Sequence, residues 1–318
     1  MIELVDSSRY PYFARIVGEI LSQWPQHERY LRINIDEREL VLLEYSEKLA
    51  AIICRISDEK IDGLAAFVAD YRFLCQDIIL PEELYFRRHG SYRLNNFIDA
   101  QATVYDNAAL MARYMNGLLV SDLMWINHCR CMMHFSRVFL PSLPIQTSLL
   151  EIGPGNGLLL CLAAEAPAVA ILSAWDVSDT SLSHAAATLQ TIETERFVNF
   201  EKRNIFDDTI TTLDKTLCFD AIVLSEVLEH LEKPLQAVEI LYRICKPGGR
   251  VWINAPANSP APDHLFLFNE PSEVAVLVRD AGFEVEAVAS FPMSGTTLER
   301  AIRQKLTVNC VVIGRKPL

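Results

Sequence analysis

Three glycines at alternate positions, Gly153, Gly155 and Gly157, lie in the segment E-I-G-P-G-N-G, directly after the apolar stretch that ends at Ile152. Glycine has no Cβ atom, so such a loop can turn tightly and bring its backbone into contact with a ligand. After a buried strand, this pattern predicts a nucleoside cofactor at the carboxyl end of a sheet. The pattern is weak on its own, because dinucleotide-binding proteins use similar loops.

Three later segments strengthen this prediction. Asp176 ends the next predicted strand about 20 residues after the loop, where a carboxylate can accept both hydroxyls of a ribose. Asn204 and Ile205 follow the third predicted strand, where an adenine edge would need an acceptor and a backbone amide. Lys246 to Gly249, K-P-G-G, closes a predicted helix and opens a strand.

The order of these segments resembles the class I S-adenosylmethionine-dependent methyltransferases over roughly residues 145–318. The matching segments are E-I-G-P-G-N-G, A-W-D-V-S, N-I-F-D, F-D-A-I-V-L-S-E-V-L-E-H-L-E-K-P, K-P-G-G-R-V and A-G-F-E-V. Asn204 departs from the aspartate usual in the family, but its amide oxygen can still accept from the adenine amine. The resemblance implies cofactor contacts from Glu151, Gly153, Pro154, Gly155, Asn156, Gly157, Asp176, Val177, Asn204, Ile205 and Ser225.

Methyl transfer to an oxygen or nitrogen requires that the acceptor lose a proton, and a neutral histidine is a common base for that step. His264 follows a proline-rich loop expected at the carboxyl end of the sheet, and it is our first choice of base. Glu226 and His230 follow the fourth predicted strand and are the other catalytic candidates. A surface histidine beside Asp263 is the alternative for His264.

The segment E-x-x-E-H also permits a metal site. If it is helical, Glu226, Glu229 and His230 share one face. The segment resembles the metal-binding segment of the ubiquinone-pathway O-methyltransferases and of the small-RNA 2′-O-methyltransferases. Since similar segments occur in metal-free members, where the carboxylates only begin a helix, no metal is favoured.

Large adaptable side chains are concentrated between Met115 and Phe135, just before the predicted cofactor strand. They could line a pocket for an apolar or aromatic substrate, with Trp125 and His128 as the contacts to test. Ordinary core packing would explain the same pattern.

Two prolines near residue 141 separate regions of different character. Residues 1–140 show helical spacing of apolar residues and are predicted to form an all-helical cap that binds substrate. Residues 141–318 alternate strand and helix, which predicts an α/β fold: a doubly wound, Rossmann-like methyltransferase sheet. The resemblance implies seven strands with the last one antiparallel, which fits two late predicted strands, 283–290 and 307–314. A dinucleotide dehydrogenase predicts neither this pair of strands nor the K-P-G-G turn.

Composition limits the partners. The 318 residues carry a formal net charge of −12, which disfavours nucleic acid and favours a small-molecule substrate. No apolar run is long enough to span a membrane. The eight cysteines lack the spacing of a disulfide framework, which favours the cytoplasm. The composition is compatible with a homo-oligomer as well as with a monomer.

We therefore expect an enzyme that uses S-adenosylmethionine to methylate an oxygen or nitrogen of a small metabolite in specialised biosynthesis. One alternative is a methyltransferase-fold protein that binds the cofactor without transferring methyl. Another is a metal-dependent RNA 2′-O-methyltransferase.

Overall fold

The computed structural model describes residues 4–192, 196–207 and 218–318. Up to residue 142 the described chain is helical, as its apolar spacing predicts. The α-helices here are α1 (Pro11–Gln23), α2 (Glu28–Asp36), α3 (Leu40–Asp58), α4 (Gly63–Phe73), α5 (Leu80–His89), α6 (Phe97–Ala100), α7 (Ala108–Met124) and α8 (Ile126–His134). Short 3-10 or π turns lie at Pro25–His27, Leu74–Ile79, Gln101–Tyr105, Phe135–Phe139 and Leu140–Ser142.

The remainder of the chain forms a sheet flanked by helices. Its strands are β1 (Thr147–Ile152), β2 (Val169–Asp176), β3 (Val198–Lys202), β4 (Phe219–Ser225), β5 (Cys245–Ala257), β6 (Glu284–Pro292) and β7 (Val308–Arg315). Its α-helices are α9 (Leu158–Ala164), α10 (Asp179–Thr191), α11 (Pro234–Ile244), α12 (Ser272–Asp280) and α13 (Leu298–Gln304).

The strand order is β3-β2-β1-β4-β5-β7-β6, and β7 runs antiparallel to both of its neighbours. The predicted seven-stranded, doubly wound sheet is thereby confirmed. The order reverses direction at β1, whose neighbours are β2 and β4. Open parallel sheets bind ligands at such a switch point, beyond the carboxyl ends of the strands.

The helical half packs directly on the sheet. Phe135 meets Trp252 of β5 edge-to-face with ring centroids 5.1 Å apart, and the Trp252 indole Nε1 donates to His134 Nδ1 at 3.2 Å. One buried apolar cluster contains residues of α1, α3, α8, β1 and β7. The division at residue 140 stays a prediction, because this core is continuous across it. None of the described helices has the length and apolar character that crossing a bilayer requires.

Candidate functional site

The backbone of the glycine loop requires glycine. Gly153, Gly155 and Gly157 have φ angles of +71°, +53° and +81°, a region that strains residues with a Cβ atom. A Cβ atom on Gly157 would lie 2.7 Å from Ala185 Cα in α10, and one on Gly153 would lie 2.7 Å from Val227 Cγ2. The loop therefore lies close to α10 on one side and to the segment after β4 on the other.

Glu151, the last residue but one of β1, is a buried carboxylate with an unused oxygen. It is 2% exposed, and its Oε2 has no hydrogen-bond partner within the described residues. Burial, together with the nearby charge of Asp176, raises the pKa of Glu151 well above its ordinary value. A positively charged ligand group beside the loop would compensate for this burial.

The other predicted cofactor residues lie along the same edge. Asp176 Oδ1 accepts from Ser178 N at 2.8 Å and Oδ2 accepts from Ser181 Oγ at 2.7 Å, so a ligand hydroxyl there would compete with Ser181. Val177 is 48% exposed beside it, whereas Ile205 is buried. Asn204 Oδ1 accepts from Phe206 N at 2.9 Å.

The cap covers the glycine loop. The Met115 Cε atom lies 3.7 Å from the position that a Cβ atom would take on Gly155. Asn156 Nδ2 of the loop donates to Asp122 Oδ2 of α7 at 2.8 Å. Helix α7 therefore contacts the loop directly. Asp122 was not anticipated from the sequence because nothing in the pattern of α7 distinguishes it.

Of the two predicted substrate contacts, His128 lies next to this carboxylate and Trp125 packs on His128. Trp125, between α7 and α8, is partly exposed, and its ring meets the His128 ring edge-on at 5.0 Å. His128 is 8% exposed, and its Nδ1 lies 3.4 Å from Asp122 Oδ1. Burial lowers the pKa of His128, but the hydrogen bond to Asp122 and the charge of Glu226 outweigh that effect, so the pKa is raised.

Glu226 does not share a helical face with Glu229 and His230, which corrects our conditional expectation. Its φ is +52°, and only Leu228–His230 forms a short 3-10 turn. Glu226 Oε1 instead accepts from Asn254 Nδ2 at 2.9 Å and from Asn309 Nδ2 at 2.6 Å. Asn254 Nδ2 also donates to Ser225 Oγ at 3.1 Å. Residues of β4, β5 and β7 therefore meet at Glu226, at the corner where β4 ends.

A different trio comes together: Glu229, His230 and His264, with one ligand atom each within 4.8 Å of the others. Glu229 is fully buried, and neither carboxylate oxygen has a hydrogen-bond partner within the described residues. His230 Nε2 lies 3.8 Å from Glu229 Oε1. His264, predicted either as base or as a surface residue, is only 6% exposed.

Both histidines have one ring nitrogen engaged with a carbonyl. His230 Nδ1 donates to the Asp263 carbonyl at 3.1 Å, and His264 Nδ1 donates to the Ser259 carbonyl. In each ring this leaves the Nε2 lone pair available. Burial, reinforced by His230, lowers the pKa of His264 to about 3, so this imidazole is neutral and a weak proton acceptor.

Two tyrosines of the cap, the half-buried Tyr105 and the buried Tyr114, hold the carboxylate of Asp263. Tyr105 donates to Asp263 Oδ2 at 3.1 Å, and Tyr114 donates to Asp263 Oδ1 at 3.2 Å. The Tyr105 hydroxyl also lies 3.3 Å from His230 Nδ1. These tyrosines come from a π turn and from α7, far from the sheet in sequence, so no local pattern could have identified them.

Known proteins are similar to this chain in the same segments that form the candidate site. Residues 150–251 match the sequence family described as "Methyltransferase domain". The chain is 25% identical over 186 residues to the ubiquinone biosynthesis O-methyltransferase of Nitrosospira multiformis, covering 52% of this chain and 74% of that relative. It is 27% identical over 186 residues to the protein of that name from Thiobacillus denitrificans, covering 52% and 77%.

A solved structure shows the same fold. An O-methyltransferase family protein from Burkholderia thailandensis superposes with a TM-score of 0.52 at 15% identity, covering 81% of this chain and 74% of that one. The family match includes the glycine loop, Asp176 and the segment from Glu226 to His230.

Proposed function

Because this chain is a class I S-adenosylmethionine-dependent methyltransferase, we propose that it methylates an oxygen or nitrogen atom of a small metabolite in a specialised biosynthetic pathway in the cytoplasm. The observation that carries the proposal is the polar contact between the cap and the glycine loop, in which Asp122 of α7 accepts from Asn156 and lies beside His128. A cap helix that lies against the loop expected to hold the cofactor suits a compact acceptor better than a polymer. The name of the relatives, O-methyltransferase, favours oxygen.

We expect the cofactor to bind at the carboxyl end of the strands, where the glycine loop follows β1. Glu151, with its unused buried oxygen, suits a positively charged part of the cofactor, and the backbone of Gly153 to Gly157 can approach it closely. Asp176 suits the ribose hydroxyls, and we expect Val177, Asn204 and Ile205 to contact the adenine. S-adenosylmethionine supplies an activated methyl group on a sulfonium, so the protein must chiefly align the acceptor, exclude water and receive a proton.

Acceptor screening tests the proposal. The protein would be incubated with S-adenosylmethionine and a panel of phenols, catechols, carboxylates and amines, and products would be read by mass spectrometry. We expect one acceptor class to gain the mass of a methylene group, and Asp176→Ala to abolish both this gain and cofactor binding. Tight cofactor binding without any methylated acceptor would support the non-transferring alternative, and salt-sensitive methylation of RNA would support the RNA alternative.

We further propose that Glu229, His230 and His264 hold a divalent cation. The Glu229 carboxylate is fully buried and has no hydrogen-bond partner among the described residues, and together with the two imidazoles it forms a set of ligands that transition-metal ions bind. The hydrogen bond from His230 to Asp263 orients that imidazole as carbonyl or carboxylate partners orient metal-bound histidines. A cation there would supply Lewis-acid activation of an acceptor hydroxyl.

Calorimetry with Mn²⁺ tests this second proposal without any acceptor. We expect binding to the wild-type protein and its loss in Glu229→Gln. Glu299→Gln, which removes an exposed carboxylate on helix α13, is the matched control and should bind Mn²⁺ as the wild-type protein does. If the wild-type protein gives no binding heat, Glu229 is a neutral buried acid and no cation site exists.

A further inference from the structure

The cap brings a buried histidine–carboxylate pair to the cofactor loop. His128 Nδ1 faces Asp122 Oδ1 at 3.4 Å, and the second oxygen of Asp122 accepts from Asn156 of the loop at 2.8 Å. Both residues are buried, with less than one-tenth of their surface exposed. One carboxylate thus fixes the position of the imidazole relative to the segment that would hold the cofactor.

A second set of contacts fixes the helix that carries His128. Asn127 Nδ2 donates to Asn309 Oδ1 at 2.7 Å, and Cys131 Sγ donates to Asn254 Oδ1 at 3.4 Å. Asn309 and Asn254 are the two residues that donate to Glu226. Helix α8 is therefore anchored on both sides of His128 to the corner where β4 ends, the edge of the sheet at which the proposed reaction would take place.

The hydrogen bonding leaves His128 able to accept a proton. With Nδ1–H directed at Asp122, the neutral ring carries its lone pair on Nε2, and this atom makes no hydrogen bond within the described residues. The charged groups facing the ring are Asp122 from α7 and Glu226 after β4, with neutral His264 beyond them. These two carboxylates favour the imidazolium form.

We propose that His128 is the general base of the methyl transfer and that Asp122 is its positioning residue. The inference rests on the proposed function. His128 Nε2 takes the proton of the acceptor O–H or N–H. The acceptor atom forms a bond to the methyl carbon as the bond from sulfur to that carbon breaks, and S-adenosylhomocysteine leaves neutral at sulfur. The imidazolium formed is stabilised by Asp122 and later returns its proton to solvent.

His264 is less suited to this step for two reasons. Its Nδ1 is engaged with the Ser259 carbonyl, and its ring packs edge-on against Tyr92 at 5.6 Å and against His230 at 4.8 Å. His264 also belongs to the trio proposed above to hold a cation, whereas His128 lies outside that trio. His264 therefore fits the role of a neutral ligand, and His128 fits that of the base.

The test compares His128→Asn with the wild-type protein on an acceptor identified by the screen. We expect kcat/KM to fall about 10² to 10⁴-fold while affinity for S-adenosylhomocysteine stays within about threefold. The fall in wild-type rate toward acid pH should vanish in His128→Asn. In Asp122→Asn it should shift to lower pH, because the charge that stabilises the imidazolium is lost. His134→Gln, on the same helix but facing Trp252, is the matched control and should keep the wild-type profile.

NMR titration of the His128 imidazole gives a readout without an acceptor: its midpoint should fall in Asp122→Asn. An unchanged midpoint would overturn the pairing of His128 with Asp122. A wild-type protein that methylates an acceptor while His128→Asn retains its rate within about threefold would overturn the base assignment and leave the proposed function intact. A wild-type protein that methylates nothing would overturn the proposed function, and the base assignment with it.

Discussion

Gly157 shows how much a single residue limits this site. It combines a φ of +81° with a position where a Cβ atom would lie 2.7 Å from the Ala185 backbone. Both obstacles involve backbone, so neither a rotamer change nor a side-chain shift relieves them. The loop shape, and the placement of α10 against it, depend on the absence of one methyl group.

We predict that Gly157→Ala destabilises the protein by about 1–3 kcal/mol and weakens cofactor binding at least tenfold. The matched control is Gly18→Ala in α1, where no atom lies within 4 Å of the added Cβ. That change should stabilise the protein by about 0.5–1 kcal/mol, because alanine is the better helix former. Denaturant unfolding and calorimetry measure both effects, and equal effects of the two substitutions would contradict the prediction.

His27 gives a prediction about acid sensitivity. Its ring stacks between Trp24 and Tyr30, at centroid distances of 3.8 and 4.7 Å, and burial lowers its pKa from 6.5 to about 4. The unfolded chain therefore binds a proton between these values that the folded chain does not. We expect the stability contributed by neutral His27 to be present above about pH 6.5 and to be lost as the pH falls toward 4.

Denaturant unfolding at several pH values measures this effect. In His27→Gln, which cannot take up a proton, the decline of stability between pH 6.5 and 4 should be shallower than in the wild-type protein. Identical slopes in the two proteins would show that other groups cause the acid sensitivity.

At the scale of elements, the cap is attached to the sheet through the buried carboxylate of Asp263. Tyr114→Phe removes one of its two tyrosine donors and leaves a buried acceptor short of a partner. We predict a loss of about 1–3 kcal/mol of unfolding free energy. Tyr12→Phe is the control, since Tyr12 is 46% exposed and should change stability little. A neutral result for Tyr114→Phe would mean that water replaces the lost donor.

The elements also show what the sequence could predict. β1 and β7 are mostly apolar and are buried along almost their whole length, which makes such strands recognisable in sequence. The left-handed backbone of Glu226 was not predictable, because it is fixed by Asn254 and Asn309 on two other strands. The cofactor residues follow one another in a recognisable order, whereas Asp122, Tyr105 and Tyr114 reach the site only through tertiary packing.

At the scale of the molecule, cap and sheet share one buried core, and Trp252 of β5 lies against Phe135 and Phe139 of the helical part. We predict that a fragment of residues 141–318 fails to unfold cooperatively, because removal of the cap exposes this apolar face to water. The full chain should show one transition by circular dichroism and by tryptophan fluorescence. A soluble fragment with its own sharp transition would establish two independent domains.

Asp122 connects cofactor binding with protonation of His128. One of its oxygens holds the cofactor loop through Asn156 and the other holds the His128 imidazole. Any shift of the loop on cofactor binding must change the proton affinity of His128, and thermodynamic linkage makes the effect reciprocal. Cofactor binding and protonation of His128 are then coupled equilibria. Through Asp122, binding of the methyl donor would set the proton affinity of the base.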